Sequence, residues 1–144
     1  MTTIAGYLTG DHRHCDESFL AAERLVMEGR WDEARLRCDE FADAIGRHFA
    51  REENLLFPAF EEVTGTTTGP TAVMRAEHQQ IRQMLRSLQD ALARRDRSDC
   101  LGLTETLLVL MQQHNAKEEN ILYPMTDRVL AARAARLVAD MQRD

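Results

Sequence analysis

Four of the five histidines obey one spacing. His12 and His78 stand 66 residues apart, and so do His48 and His114. The segments that follow the second pair overlay without a gap: HFAREENLLFP (48–58) and HNAKEENILYP (114–124) agree at seven of eleven positions, with three conservative exchanges. Glu52 therefore falls on Glu118, Glu53 on Glu119 and Asn54 on Asn120. An imidazole and a carboxylate four residues apart on a helix face the same way, and together they suit a metal ion of intermediate hardness. The chemistry to expect is metal binding by a duplicated helix pair. Only His14 lacks a counterpart, because position 80 is Gln80.

The elements that position these residues can be read in the same two copies, about 8–62 and about 74–128. The first helix is expected from about Thr9 or Asp11 to Glu28, stopping at Gly29. The second starts at Asp32 as N-cap, with Trp31 and Leu36 as a hydrophobic staple, and runs to about Glu62. Gly65-Thr66-Thr67-Thr68-Gly69 breaks the pattern within a loop from Val63 to Gly69, and Pro70 suits the first turn of the third helix. That helix ends near Arg95, and Ser98 caps the fourth. A last amphipathic helix, about 126–141, carries Val129, Leu130, Leu137, Val138 and Met141 and is expected to pack across one end.

Heptad seams run through all four long helices. The first holds Leu8, His12, Cys15, Phe19, Ala22 and Val26; the third holds Met74, His78, Ile81, Leu85, Leu88 and Leu92. In the second the stripe is Ala34, Cys38, Phe41, Ile45, His48, Glu52 and Leu55. In the fourth it is Cys100, Thr104, Leu107, Met111, His114, Glu118 and Ile121. Four such stripes joined by short turns predict an all-α chain, an antiparallel up-down-up-down four-helix bundle with an internal two-fold repeat and a short C-terminal helix.

His12, His48, Glu52, His78, His114 and Glu118 are polar residues at seam positions where leucine is expected. They share one level. From His12 to the turn is about 16 residues, or roughly 24 Å of helix, and from Asp32 back to His48 is again about 16. Burying two carboxylates uncompensated costs several kcal/mol each, which four imidazoles offset poorly and a pair of cations offsets well. With no thiolate in the set, a sulfur-rich zinc site is excluded, and the nitrogen–oxygen donors suit iron or manganese. Two six-coordinate ions need about twelve ligand positions. Four histidines supply four, two bridging glutamates supply four and an oxo or hydroxo bridge supplies two. About one open position per metal is left for a small ligand.

Composition closes off other classes. Forty-four per cent apolar and 29% charged residues suit one globular domain, 1–144, while 6% aromatics, three prolines and seven glycines give little material for a β-barrel. The net charge of −6 argues against nucleic acid or an anionic membrane as partner. No apolar run approaches a bilayer span, and the N-terminus lacks the order of a signal peptide. Cys15, Cys38 and Cys100, odd in number and not spaced as CxxC, fit a reducing cytoplasm.

Two H-x-x-x-E segments, each with a proline six residues past the glutamate, and His12 and His78 on the alternate helices resemble the hemerythrin-like, or HHE, domain. The resemblance runs from His12 to about Val129. Ferritin-like bundles use E-x-x-H instead and match poorly. It implies a four-helix bundle around a carboxylate-bridged, oxo- or hydroxo-bridged pair of iron ions held by His12, His48, Glu52, His78, His114 and Glu118, with manganese or zinc as substitutes. The oxygen carriers of that family have H-x-x-x-H on the third helix, where this chain has Arg82 four residues after His78. Their last carboxylate is five residues after its histidine, the place of Glu119, whereas Glu118 mirrors Glu52 and is taken as the bridge. The symmetric set is more similar to the branch that repairs iron–sulfur clusters, without that branch's cysteine-bearing N-terminal segment.

Neighbouring residues have weaker readings. Cys15 aligns with Ile81 and reads as a packed small hydrophobe; His14 reads as surface. Asp11, Glu53, Glu77 and Glu119 flank ligands and either accept imidazole N–H groups or are solvated. Pro58 and Pro124 kink their helices, and Tyr7 and Tyr123 are minor candidates for contact with a bound ligand. Whether His14, Glu119 or a tyrosine adds a ligand stays open. The leading function is a binding protein for dioxygen or another small diatomic or peroxide ligand, in storage, delivery or sensing. The alternatives are nitric-oxide- or peroxide-linked reduction and iron–sulfur repair, or a metal-stapled interaction module, which leaves open whether the chain is an enzyme. A monomer or homodimer is expected.

Overall fold

The computed structural model describes residues 2–143. The order is α1 (Ile4–Met27), α2 (Trp31–Arg51), a π-helical turn (Glu52–Leu56), α3 (Phe57–Thr64), α4 (Pro70–Ala93), α5 (Arg97–Lys117), a second π turn (Glu118–Leu122), α6 (Tyr123–Val129), a 3-10 turn (Ala131–Arg133) and α7 (Ala134–Met141). No strand occurs among the described residues. Helices α2 and α3, and α5 and α6, are each one long helix interrupted by a π turn. The result is the four-helix bundle: α1 pairs with α2, α4 with α5, α2 lies beside α4 and α1 beside α5. Among the described residues no helix is long and apolar enough to cross a membrane.

The helix ends differ from the expected caps. Helix α1 starts earlier, at Ile4, because Thr3 accepts a hydrogen bond from Gly6 N and the carboxylate of Asp127 accepts from the amides of Ile4 and Ala5 at 2.9 and 3.1 Å. Those acceptors satisfy N–H groups that a helix leaves unpaired. Asp32 is not the N-cap of α2; Arg30 holds that place, Trp31 is already helical, and Leu36 is 60% exposed, so no staple forms. Likewise Asp96, rather than Ser98, caps α5 by accepting from Asp99 N. Helix α1 ends in the left-handed region at Gly29, φ 71°, and 66 residues later Arg95 takes the same conformation at φ 53°. Helix α3 runs on to Thr64, which shortens the expected loop.

The largest correction concerns register. Leu55 and Ile121 were expected on the seams, yet Ile121 is 59% exposed and it is Leu56 and Leu122 that are buried. A π turn carries one extra residue per turn, so past each turn the buried face moves on by one. The 126–141 stretch is also divided, by a break at Leu130, into the end of α6 and the short α7. Leu130, Leu137, Val138 and Met141 are buried as expected, while Val129 faces out.

The apolar core comes in two parts. One, towards the α1–α2 and α4–α5 turns, contains Cys15, Phe19, Phe41, Leu88, Leu92 and Leu107. The other, at the opposite end, contains Ile4, Leu8, Leu56, Phe57, Leu122, Tyr123 and the buried face of α7. Between them lies a layer of polar side chains.

Candidate metal centre

All six predicted residues meet in that layer. His12, His48, Glu52, His78, His114 and Glu118 are each 2% exposed or less, and they come from α1, α2, the first π turn, α4, α5 and the second π turn. The layer divides into a His12/His48 half, with ring centroids 4.6 Å apart, and a His78/His114 half, at 4.9 Å. Glu52 and Glu118 stand between. Nε2 of His12 is 3.0 Å from Glu118, Nε2 of His48 is 3.4 Å from Glu52, Nε2 of His78 is 3.1 Å from Glu52 and Nε2 of His114 is 3.2 Å from Glu118. Each carboxylate thus faces both halves.

The donor atoms fit cations better than they fit each other. Glu52 Oε1, His78 Nε2, His114 Nε2 and Glu118 Oε2 are buried without a hydrogen-bond partner. His78 Nε2 lies 3.1 Å from Glu52 and His114 Nε2 3.2 Å from Glu118 without making a hydrogen bond. One ligand atom from each of Glu52, His78, His114 and Glu118 lies within 4.8 Å of all the others, and the same holds for His12, His48 and Glu118. Buried polar groups are normally satisfied, so four orphaned lone-pair donors around one point call for a positive charge.

The electrostatics agree. Burial alone would depress His48 and His114, but Glu52, Asp11 and Glu118 around His48, and Glu118, Glu77 and Glu52 around His114, outweigh it and raise both. Burial would raise Glu118, yet its close contacts with Glu52, His114, His12 and His48 hold it well below the usual range. The layer stabilises positive charge, and a metal ion supplies it in exchange for protons.

The outer nitrogens are uniformly engaged. Nδ1 of His12 meets Glu119 at 2.7 Å, His48 meets Asp11 at 3.2 Å, His78 meets Glu53 at 2.7 Å and His114 meets Glu77 at 2.8 Å. The carboxylates that could equally have been solvated are therefore all turned inward. Each fixes its imidazole with Nε2 towards the centre. Three are gripped in turn: Asp11 by Arg51, Glu77 by Lys117 and Glu53 by Arg82. The repeat carried this signal, since Asp11 maps on Glu77, Glu53 on Glu119 and Arg51 on Lys117 at the 66-residue offset.

Tyr123 is the residue that sequence reasoning undervalued. It is fully buried, and its hydroxyl donates to Glu52 Oε2 at 2.7 Å or Glu118 Oε1 at 3.0 Å, with Nε2 of His12 and His48 at 3.2 and 3.4 Å. Five residues along an α-helix from Glu118 would point away from the seam. The π turn, in which the Tyr123 amide bonds to the Glu118 carbonyl, brings it back over the site. Burial, then the charges of Glu52 and Glu118, push its hydroxyl well above the ordinary value and keep it protonated. Its counterpart is Phe57, which stacks 5.8 Å from His78. His14 is exposed and Cys15 is packed in the apolar core.

Residues 3–126 match the sequence model of the hemerythrin HHE cation binding domain. The chain belongs to that family. A hemerythrin-like protein of Schizosaccharomyces pombe is 26% identical over 132 residues, a match that covers 91% of this chain and 63% of the yeast protein. The chain thus spans less than two thirds of the length of that curated relative. No solved structure matches it. Within the hemerythrin-like domain, the cation-binding character named by the family coincides with the buried histidine–glutamate layer.

Proposed function

We propose that His12, His48, Glu52, His78, His114 and Glu118 hold two iron ions, with Glu52 and Glu118 shared between them, and that the centre takes up dioxygen or a related small oxidant. The four unpartnered donors gathered in a buried layer carry this reading. Iron held in such a nitrogen–oxygen set would supply electron exchange and reversible uptake of a small ligand. The chain supplies the rest. Asp11, Glu53, Glu77 and Glu119 hold the Nδ1 protons and so orient the rings, while the two apolar clusters keep bulk water out.

The test is to reduce the iron-loaded protein anaerobically, admit oxygen, remove it and record the visible spectrum at each stage. A band that appears and then disappears supports reversible binding. No reaction with oxygen at all would sink the proposal. One observation favours a second reading: the protonated Tyr123 hydroxyl, 2.7 Å from Glu52, is a proton source inside the layer and suits reduction of peroxide or nitric oxide. Conversion to a stable oxidised spectrum, with turnover of either substrate, would select it.

A further inference from the structure

We infer that the small ligand enters through the cleft between α4 and α5 and is taken up on the His78/His114 half, because Tyr123 closes the His12/His48 half. The inference rests on the small-ligand reading above. Two independent observations lie on the same side of the molecule.

The first is a cavity of about 220 Å³ that opens between α4 and α5. Gln80, Gln113 and Lys117 form its exposed rim, and Ile81, Leu110 and His114 its inner wall. His114 therefore lines the cleft and carries one of the four unpartnered donor atoms, its Nε2. At the corresponding place in the first repeat the ground is tied down. Arg51 pairs with Asp11 as its counterpart Lys117 pairs with Glu77, but Arg51 also reaches the Met141 carbonyl at 3.0 Å, which straps the end of α7 across that place.

The second is the broken symmetry of the layer. The unpartnered atoms of Glu52, His78, His114 and Glu118 face one half. In the other half the Tyr123 hydroxyl sits within 3.4 Å of Nε2 of both His12 and His48. Phe57, 66 residues earlier, has no atom to offer at the equivalent position and lies against the His78 ring instead. An added ligand of two or three atoms meets a hydroxyl on one side and unpartnered donors on the other.

The experiment uses the iron-loaded full chain and azide as probe, following the visible band by stopped flow. Gln80→Trp fills the exposed rim of the cleft; His14→Trp makes the same change at the matching, exposed place of the first repeat. Gln80→Trp is expected to slow azide association by about tenfold or more, with iron content and the position of the band unchanged, while His14→Trp leaves the rate alone. Equal rates in both variants, or equal slowing by both, would overturn the inference. If the iron-loaded parent chain binds no azide at all, the small-ligand reading itself falls, and the route falls with it.

Discussion

Arg82 closes on Glu53 with two nitrogens, each 2.9 Å from its own carboxylate oxygen, and Glu53 in turn holds Nδ1 of His78 at 2.7 Å. The arginine stands where the hemerythrin oxygen carriers have a further histidine, and here it supports the carboxylate that holds His78. Planar two-pronged pairs of this kind fix geometry as well as charge. Its counterpart in the first repeat is Asp16, which burial pushes above the ordinary carboxylate value and which lies near Glu119 without gripping it. Arg82→Ala should therefore loosen His78 and weaken iron retention about tenfold, whereas Asp16→Ala should not. Iron release to a competing chelator measures both, and equal retention in Arg82→Ala would refute the supporting role.

The shared carboxylates make a sharper demand. Each of Glu52 and Glu118 faces both halves of the layer, so on the proposed two-iron reading Glu52→Ala or Glu118→Ala should abolish the dinuclear centre and drop metal content below one ion per chain. His14→Ala, at an exposed position, should leave it unchanged. Elemental analysis after reconstitution reads both.

The six-residue layer was legible because the repeat prints it twice and because Glu52 and Glu118 are the first residues of the π turns, so the spacing back to His48 and His114 is still that of an α-helix. Beyond those turns, legibility fails. Leu55 and Ile121 continue an ideal 3.6-residue period, and nothing in ENLLFP or ENILYP announces the extra residue that buries Leu56 and Leu122 instead. Tyr123 was hidden for the same reason, and also because Phe57 breaks the repeat at that position. Each proline follows its π turn closely. Pro58 brings no N–H, and the nearby Glu53 carbonyl accepts from Arg75 instead. Capping was misread where Arg30 and Asp96 took the places expected of Asp32 and Ser98, a shift of two residues that hydrophobic periodicity does not resolve.

Tyr123→Phe tests the hydroxyl without changing the packed ring. In the metal-free chain it removes a buried donor from Glu52 and Glu118, and it should cost about 1–3 kcal/mol of stability. Urea unfolding of the metal-free protein measures it. An unchanged midpoint would mean that the hydroxyl contributes nothing to holding the layer.

Arg95 offers a change in the opposite direction. It adopts φ 53° at the place where the first repeat has Gly29 at φ 71°. A side chain in that region is strained by about 1 kcal/mol or more, and the ion pair it makes with Asp32 at 3.3 Å is exposed and of little worth. Arg95→Gly should stabilise the chain by roughly 0.5–1 kcal/mol, read as a higher thermal midpoint with iron content unaltered.

Cys38 sets a limit on alkaline stability that is independent of the metal. It is 1% exposed, and burial, with the charge of Asp39 and the neighbouring Cys100 adding to it, pushes its thiol up to about 12. An unfolded thiol ionises near 9. The folded chain therefore refuses a proton loss that the unfolded chain accepts, and the sign follows: the contribution is complete below about pH 9 and is lost as the pH climbs from there towards 12. Between pH 8 and pH 10 this group alone should cost about 1 kcal/mol. Cys38→Ala removes the pH-dependent part while adding a constant loss from the space it leaves. The difference in unfolding free energy between pH 8 and pH 10 should accordingly shrink in the variant, even though the variant is less stable at both. A difference as large as the parent's would show that Cys38 is not the group responsible.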